Sequence, residues 1–309
     1  MPQCGIASAR LRSVPAIVFG LATAVLWATT LLASARPSRL LGPWSTLAWV
    51  MLIGLVVTLP FVVATAPSVA LTQEDLALMA TAGVANSVGL LCNYAAVRRG
   101  KVAVVGPIVS TEGAIAAVLA VVAGDPLSGA AAAVLVLIAV GVVLASIEGS
   151  AGDPELAPDP ASEGRASGSS DTRAAVMLAI GAALLFGINL FVTSRIAGVM
   201  PLAWTVLPAR VAGVVLVTVP LVVLRRLRLV RSAVPFVIVV GICEVLGVAT
   251  FALGARVSAP VTSVIASQFA GIAAIAAYIL FGERLGRVQV AGVVLIAIGV
   301  ATLAAIQAA

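Results

Sequence analysis

The chain has 309 residues, of which 62% are hydrophobic and only 10% charged, with a formal net charge of +6. A mean hydropathy of +1.20 leaves too little polar surface to clothe a water-soluble core, so a bilayer is its natural solvent. The absence of histidine removes the commonest metal ligand, and Cys4, Cys92 and Cys243 have neither metal-ligand nor disulfide spacing, so metalloenzymes and disulfide-stapled domains fit poorly and no cofactor is expected.

A transmembrane helix needs about 20 mostly apolar residues to cross about 30 Å of hydrocarbon. Ten segments satisfy this, near 14–34, 44–66, 76–97, 101–123, 128–147, 174–197, 202–224, 233–255, 258–281 and 286–307. All are expected to be helices, because lipid offers no partner to an open backbone. The first imitates a signal peptide, with Arg10 and Arg12 before the apolar run and Ala33-Ser34-Ala35 after it. Its run is longer than such a region and has a counterpart at 174–197, so it reads as a retained helix. Residues 149–172, rich in Gly, Ser, Pro, Asp and Glu, read as a disordered tether, with a docking tail as the alternative.

The helices before and after this tether repeat one another. Residues 83–145 lie on 241–303 without a gap at an offset of 158, pairing Gly83 with Gly241, Gly89 with Gly247, Arg98 with Arg256 and Asp125 with Glu283. Upstream, Leu26-Trp27-Ala28 fits Leu185-Phe186-Gly187 at 159, and Trp44, Val57, Thr58 and Pro60 fit Trp204, Val217, Thr218 and Pro220 at 160. The predicted organisation is a first repeat over 1–148, a linker over 149–172 and a second repeat over 173–309.

Five helices per repeat is an odd number, so the second copy must enter the membrane upside down. The basic residues agree: the loop after the second helix has no Lys or Arg, whereas its partner holds Arg225, Arg226, Arg228 and Arg231. Arg36, Arg39, Arg98, Arg99 and Lys101 fall on the same face as that partner loop, and the positive-inside rule makes it cytoplasmic, with both termini outside. Inverted repeats of this kind recur in secondary transporters. The fold class is therefore an all-α integral membrane protein of ten transmembrane helices in two inverted five-helix repeats.

Phe281-Gly282-Glu283-Arg284-Leu285, followed by Gln289, Gly292 and Gly299-Val300, resembles the ending of the EamA-type repeat of the drug/metabolite transporter superfamily. The first copy carries a weaker version, Gly124-Asp125-Pro126-Leu127 with Gly141-Val142. The resemblance implies two five-helix repeats and metabolite transport across the plasma membrane, with amino acids among the substrate classes. Glu112 and Ala270 stand where that family often has a proline in the fourth helix of each repeat.

Charges at membrane depth cost at least about 2.5–3.5 kcal/mol and normally face a cavity or a partner. Glu112 lies roughly 16 Å along a helix from Lys101, near the bilayer midplane, and Glu244 is similarly central. With Arg210 they are candidates to line an aqueous cavity, the glutamates exchanging protons and the arginine gripping an anionic group. The structural alternative is an ion pair of Arg210 with Glu244 or Glu112. At an offset of 158, Glu244 matches Asn86 and Gln268 matches Ser110, whereas Glu112 matches the apolar Ala270, and Arg210, at an offset of 160, matches the apolar Val50. Asn93, Asn189 and Gln268 could bind substrate or join helices, and Trp27 and Tyr278 could wall the cavity or simply pack. Trp44 and Trp204 read as interfacial anchors.

These readings converge on a non-enzymatic secondary transporter of a small polar metabolite, working by alternating access with proton coupling or export among its options. A flippase for a lipid-linked head group and a non-transporting sensor or assembly protein are the alternatives. Its expected partners are a small-molecule substrate and the lipid bilayer, with no nucleic acid; monomer and homodimer both stay open.

Overall fold

The computed structural model describes residues 3–66, 71–100, 102–124, 129–146 and 169–273, with scattered positions from 276 to 302. Its elements in order are α1 (Gln3–Leu40), α2 (Pro43–Thr65), α3 (Gln73–Arg99), α4 (Val102–Val109), α5 (Glu112–Val122), α6 (Gly129–Ser146), α7 (Ser169–Val199), α8 (Leu202–Gly213), a π-helical turn (Val214–Thr218), α9 (Val219–Val223) and α10 (Val234–Ala266). Among the described residues there is no strand, and seven helical segments are long and apolar enough to cross a membrane. The expected tenth segment and residues 149–168 of the linker lie largely or wholly outside the described residues. Residues 169–172, expected in the linker, already belong to α7; Asp171 in its first turn complements the positive end of the helix dipole.

The helix boundaries follow from local chemistry. Gly42, at φ +83°, reverses the chain before α2, and Pro43 opens that helix with a pre-set φ. The Thr72 hydroxyl accepts from the Asp75 N–H while the Asp75 carboxylate accepts from the Thr72 N–H, a capping box that starts α3. Ala33-Ser34-Ala35 sits inside α1 with Ser34 fully buried, so α1 is an integral part of the bundle.

The fourth segment is broken at mid-depth without a proline at Glu112. Ser110 Oγ donates to the Pro107 carbonyl at 2.9 Å and Thr111 Oγ1 to the Ile108 carbonyl at 2.8 Å. Hydroxyls that capture carbonyls of the preceding turn compete with the helix ladder. The Thr111 N–H falls back to Ile108, at 3.2 Å, and a new helix begins at Glu112.

The second repeat copies this plan. α10 holds the expected eighth segment and the start of the ninth, divided at Ser258, which is extended (φ −157°, ψ 103°) as is its partner Gly100 (φ −122°, ψ 172°). Residues 259–266 then match the eight-residue α4, a turn at Ser267-Gln268 matches Ser110-Thr111, and helix resumes at 269–273. The Gln268 N–H bonds the Ile265 carbonyl at 3.1 Å, the counterpart of the Thr111 bond. At this break the structural offset is 157, one less than the sequence register, because α4 begins two residues after Gly100 whereas helix resumes directly after Ser258.

Two tryptophans reveal the inversion. Trp204 Nε1, near the start of α8, donates to Thr65 Oγ1 at the end of α2, at 3.1 Å. Trp49 Nε1, near the start of α2, donates to the Arg228 carbonyl beyond the end of α9, at 2.9 Å. The equivalent helices α2 and α8–α9 therefore run antiparallel side by side. The other main contacts are reciprocal: α1 lies along α10, and α3 along α7. Glycines make these approaches close, since a Cβ on Gly89 would stand 2.7 Å from the Phe186 ring, and one on Gly247 would enter the Trp27 indole. α6 packs on α4 with Val136 and Val140 exposed, and Phe61, Val63 and Val223 are likewise exposed, a surface suited to lipid.

Candidate functional site

At the seam between the repeats lies a cavity of about 40 Å³. Its wall is built in pairs. Trp27 on α1 and Phe186 on α7 occupy equivalent positions at an offset of 159, as do Thr30 with Asn189 and Leu31 with Leu190. Asn86 on α3 pairs with Glu244 on α10 at 158, and Glu112, opening α5, pairs with Phe269, just past the second break, at the structural offset of 157. Leu90, Asn93 and Val109 complete the lining.

Six of the side chains singled out from the sequence thus meet here: Trp27, Asn86, Asn93, Glu112, Asn189 and Glu244. Trp27 is held by stacking on Phe251, with centroids 6.0 Å apart, and by an edge contact with Phe269 at 6.3 Å. Asn189 Oδ1 accepts from the Thr193 hydroxyl at 3.2 Å. Thr30 Oγ1, Asn86 Oδ1 and Asn93 Oδ1 are buried without a hydrogen-bond partner among the described residues, a cost that a polar occupant would relieve.

Arg210 stands behind the cavity rather than in its lining. It is fully buried, with Nη2 3.8 Å from Glu244 Oε1 and 3.5 Å from the Glu244 carbonyl, and Nη1 3.6 Å from Met51 Sδ. Gly54 makes room for its stem, since a Cβ there would lie 2.7 Å from Arg210 Cδ. The ion pair weighed from the sequence is therefore made with Glu244. Among the described residues no cation pairs with Glu112, which is 3% exposed. An uncompensated carboxylate at this depth needs a proton or a bound cation to neutralise it.

Ser110 and Gln268 lie at the two helix breaks rather than in the lining, and Tyr278 lies outside the described residues. Thr30, Phe186 and Phe269 were not singled out. The 159 register that pairs Trp27 with Phe186 also pairs Thr30 with Asn189, and was signal enough for two of them. Tyr94, fully buried with an unpartnered hydroxyl, is a further polar group near this seam. No group of three or more His, Cys, Asp or Glu converges to hold a metal among the described residues.

At one end of the bundle Arg39, Arg98, Arg225, Arg226 and Arg228 surround a single cleft between the α1–α2 junction and α9, so basic residues from both repeats share a face. At the other end Arg256, the counterpart of Arg98, donates to the Ala197 and Met200 carbonyls at 2.8 and 2.6 Å.

Comparison with known proteins agrees with this architecture. The EamA-like transporter family matches residues 14–147 and again 173–305, one match per repeat. A solved structure, titled only as the crystal structure of a protein, shares the fold at a TM-score of 0.68 and 18% identity over 93% of this chain and 95% of that one. No curated protein matches the chain.

Proposed function

Because the chain belongs to the EamA-like transporter family, which comprises multi-pass membrane transporters rather than enzymes, we propose that it is a secondary active transporter of a small polar metabolite. The observation that carries this reading is the paired cavity at the seam, the expected place for a site that two inverted repeats expose alternately by rocking. Rocking of either repeat would widen this cavity toward one face for a substrate to enter. The breaks at Ser110-Thr111 and Ser267-Gln268 supply two hinges at equivalent depth.

Glu112 is the coupling residue in this reading, with Glu244 restrained by Arg210. The ten-helix count, a tether over 149–168 and a cytoplasmic arginine-rich end belong to the same proposal. A flippase would need Arg210 free to hold a head group, and its engagement with Glu244 and Met51 argues against that.

The test compares cells with and without the chain in a resistance and uptake screen over small metabolites, followed by pH-gradient-driven uptake of the hit in proteoliposomes. Glu112→Gln is expected to abolish the gradient dependence. Uptake unaltered in both Glu112→Gln and Glu244→Gln would remove proton coupling, and no difference in the screen would remove the transport reading. A reporter fused after Ala309 is expected to lie outside the cytoplasm.

A further inference from the structure

Three buried side-chain oxygens of the cavity-lining residues have no hydrogen-bond partner among the described residues, beside the amide N–H donors that Asn86 and Asn93 also carry. Asn86 and Asn93 each present an amide oxygen, Thr30 a hydroxyl oxygen, and all three residues line the cavity. Asn86 and Asn93 are only 3% and 5% exposed, so bulk water does not satisfy them. Two carboxylates, Glu112 and Glu244, share the same wall. The orphaned donor nearby, Arg210 Nε, belongs to a side chain outside the lining whose guanidinium is engaged with Glu244 and Met51. Among the described residues the wall therefore offers no cation with which to grip a carboxylate or phosphate.

The apolar part of the wall points the same way. The rings of Trp27, Phe186 and Phe269 line the cavity, and aromatic faces attract cations most strongly where water is excluded. An alkylammonium group carries several donors and one positive charge, which answers the orphaned oxygens, the uncompensated Glu112 and the rings together. A carboxylate in the same place would meet the Glu112 carboxyl group, with no cation in the described lining to balance the added charge.

We infer that the ligand of this cavity is a small organic ammonium ion without a carboxylate, an amine rather than an amino acid or a phosphate ester. This deepens the transporter reading and rests on it for the direction of movement, while the chemistry of the site is tested by binding alone. Three related compounds separate the charges: isobutylamine, valine, which adds a carboxylate to it, and isovalerate, which keeps only the carboxylate. Their affinities are measured on the full chain in detergent by calorimetry or thermal shift. Isobutylamine is expected to bind about tenfold or more tighter than valine, with isovalerate weakest, because a buried unpaired charge is strongly discriminated against. Glu112→Gln is expected to lose that preference, and Glu112→Asp, which keeps the charge, to retain most of it. Valine or isovalerate binding as tightly as isobutylamine overturns the inference, as does the absence of saturable binding by all three. Amine binding without flux of any solute in proteoliposomes keeps the ligand class and removes the transport reading instead.

Discussion

Trp27 and Phe186 hold equivalent places in the two repeats, each seated over a glycine of the other, yet Trp27 alone is braced by both Phe251 and Phe269. The acids differ more. Each repeat brings one carboxylate to the cavity, but the first brings it from the broken fourth helix as Glu112 and the second from the eighth as Glu244, and Arg210 compensates only the latter. Duplication fixed where side chains project into the seam; independent substitution then decided their chemistry. A symmetric scaffold thus carries an asymmetric site, with one acid restrained and one available.

The largest effect that sharpens this contrast is expected from Arg210→Met, which leaves Glu244 buried and unpaired. A loss of about 3–5 kcal/mol in detergent unfolding is predicted, with most of it recovered in the double variant Arg210→Met/Glu244→Gln. Equal losses in the single and double variants would mean that the arginine acts by packing, not by compensation. Next come the glycine seats, where Gly247→Ala and Gly89→Ala are each expected to cost about 1–3 kcal/mol through overpacking. Gly247→Ala should cost more, because the indole it displaces is held on two further sides; an equal cost would erase the asymmetry of the aromatic pair. The smallest is Thr72→Ala, expected to cost about 1 kcal/mol by removing the capping box of α3. α10, which begins the equivalent helix after Ala233, has no side-chain cap to lose. Thermal unfolding of the two capping states would read the difference.

Much of this was legible in the sequence because a repeat is its own alignment. The register of 158 located Asn86 opposite Glu244 and paired Gly100 with Ser258, the extended residues between successive helices, while the alternation of basic loops implied the inversion. The helix breaks were less visible. They rest on hydroxyls of Ser110 and Thr111 capturing carbonyls, a choice between two bonding patterns that an apolar run disguises. Phe269 was missed because the register slips by one residue between Gly100 and α4, so Glu112 was paired with Ala270 instead. The partner of Arg210 was ambiguous for a different reason: its counterpart is Val50, and symmetry says nothing about a group that only one copy possesses.

The placement of Trp27 gives the molecule a built-in optical probe. Of four tryptophans, Trp44 is exposed at a helix start, Trp49 and Trp204 are hydrogen-bonded near the bundle ends, and Trp27 faces the cavity. Replacing the other three by phenylalanine would leave a single indole between two rings at the seam. Its emission would then report both ligand occupancy and the parting of α1 from α10, so binding and opening could be timed in one unlabelled protein.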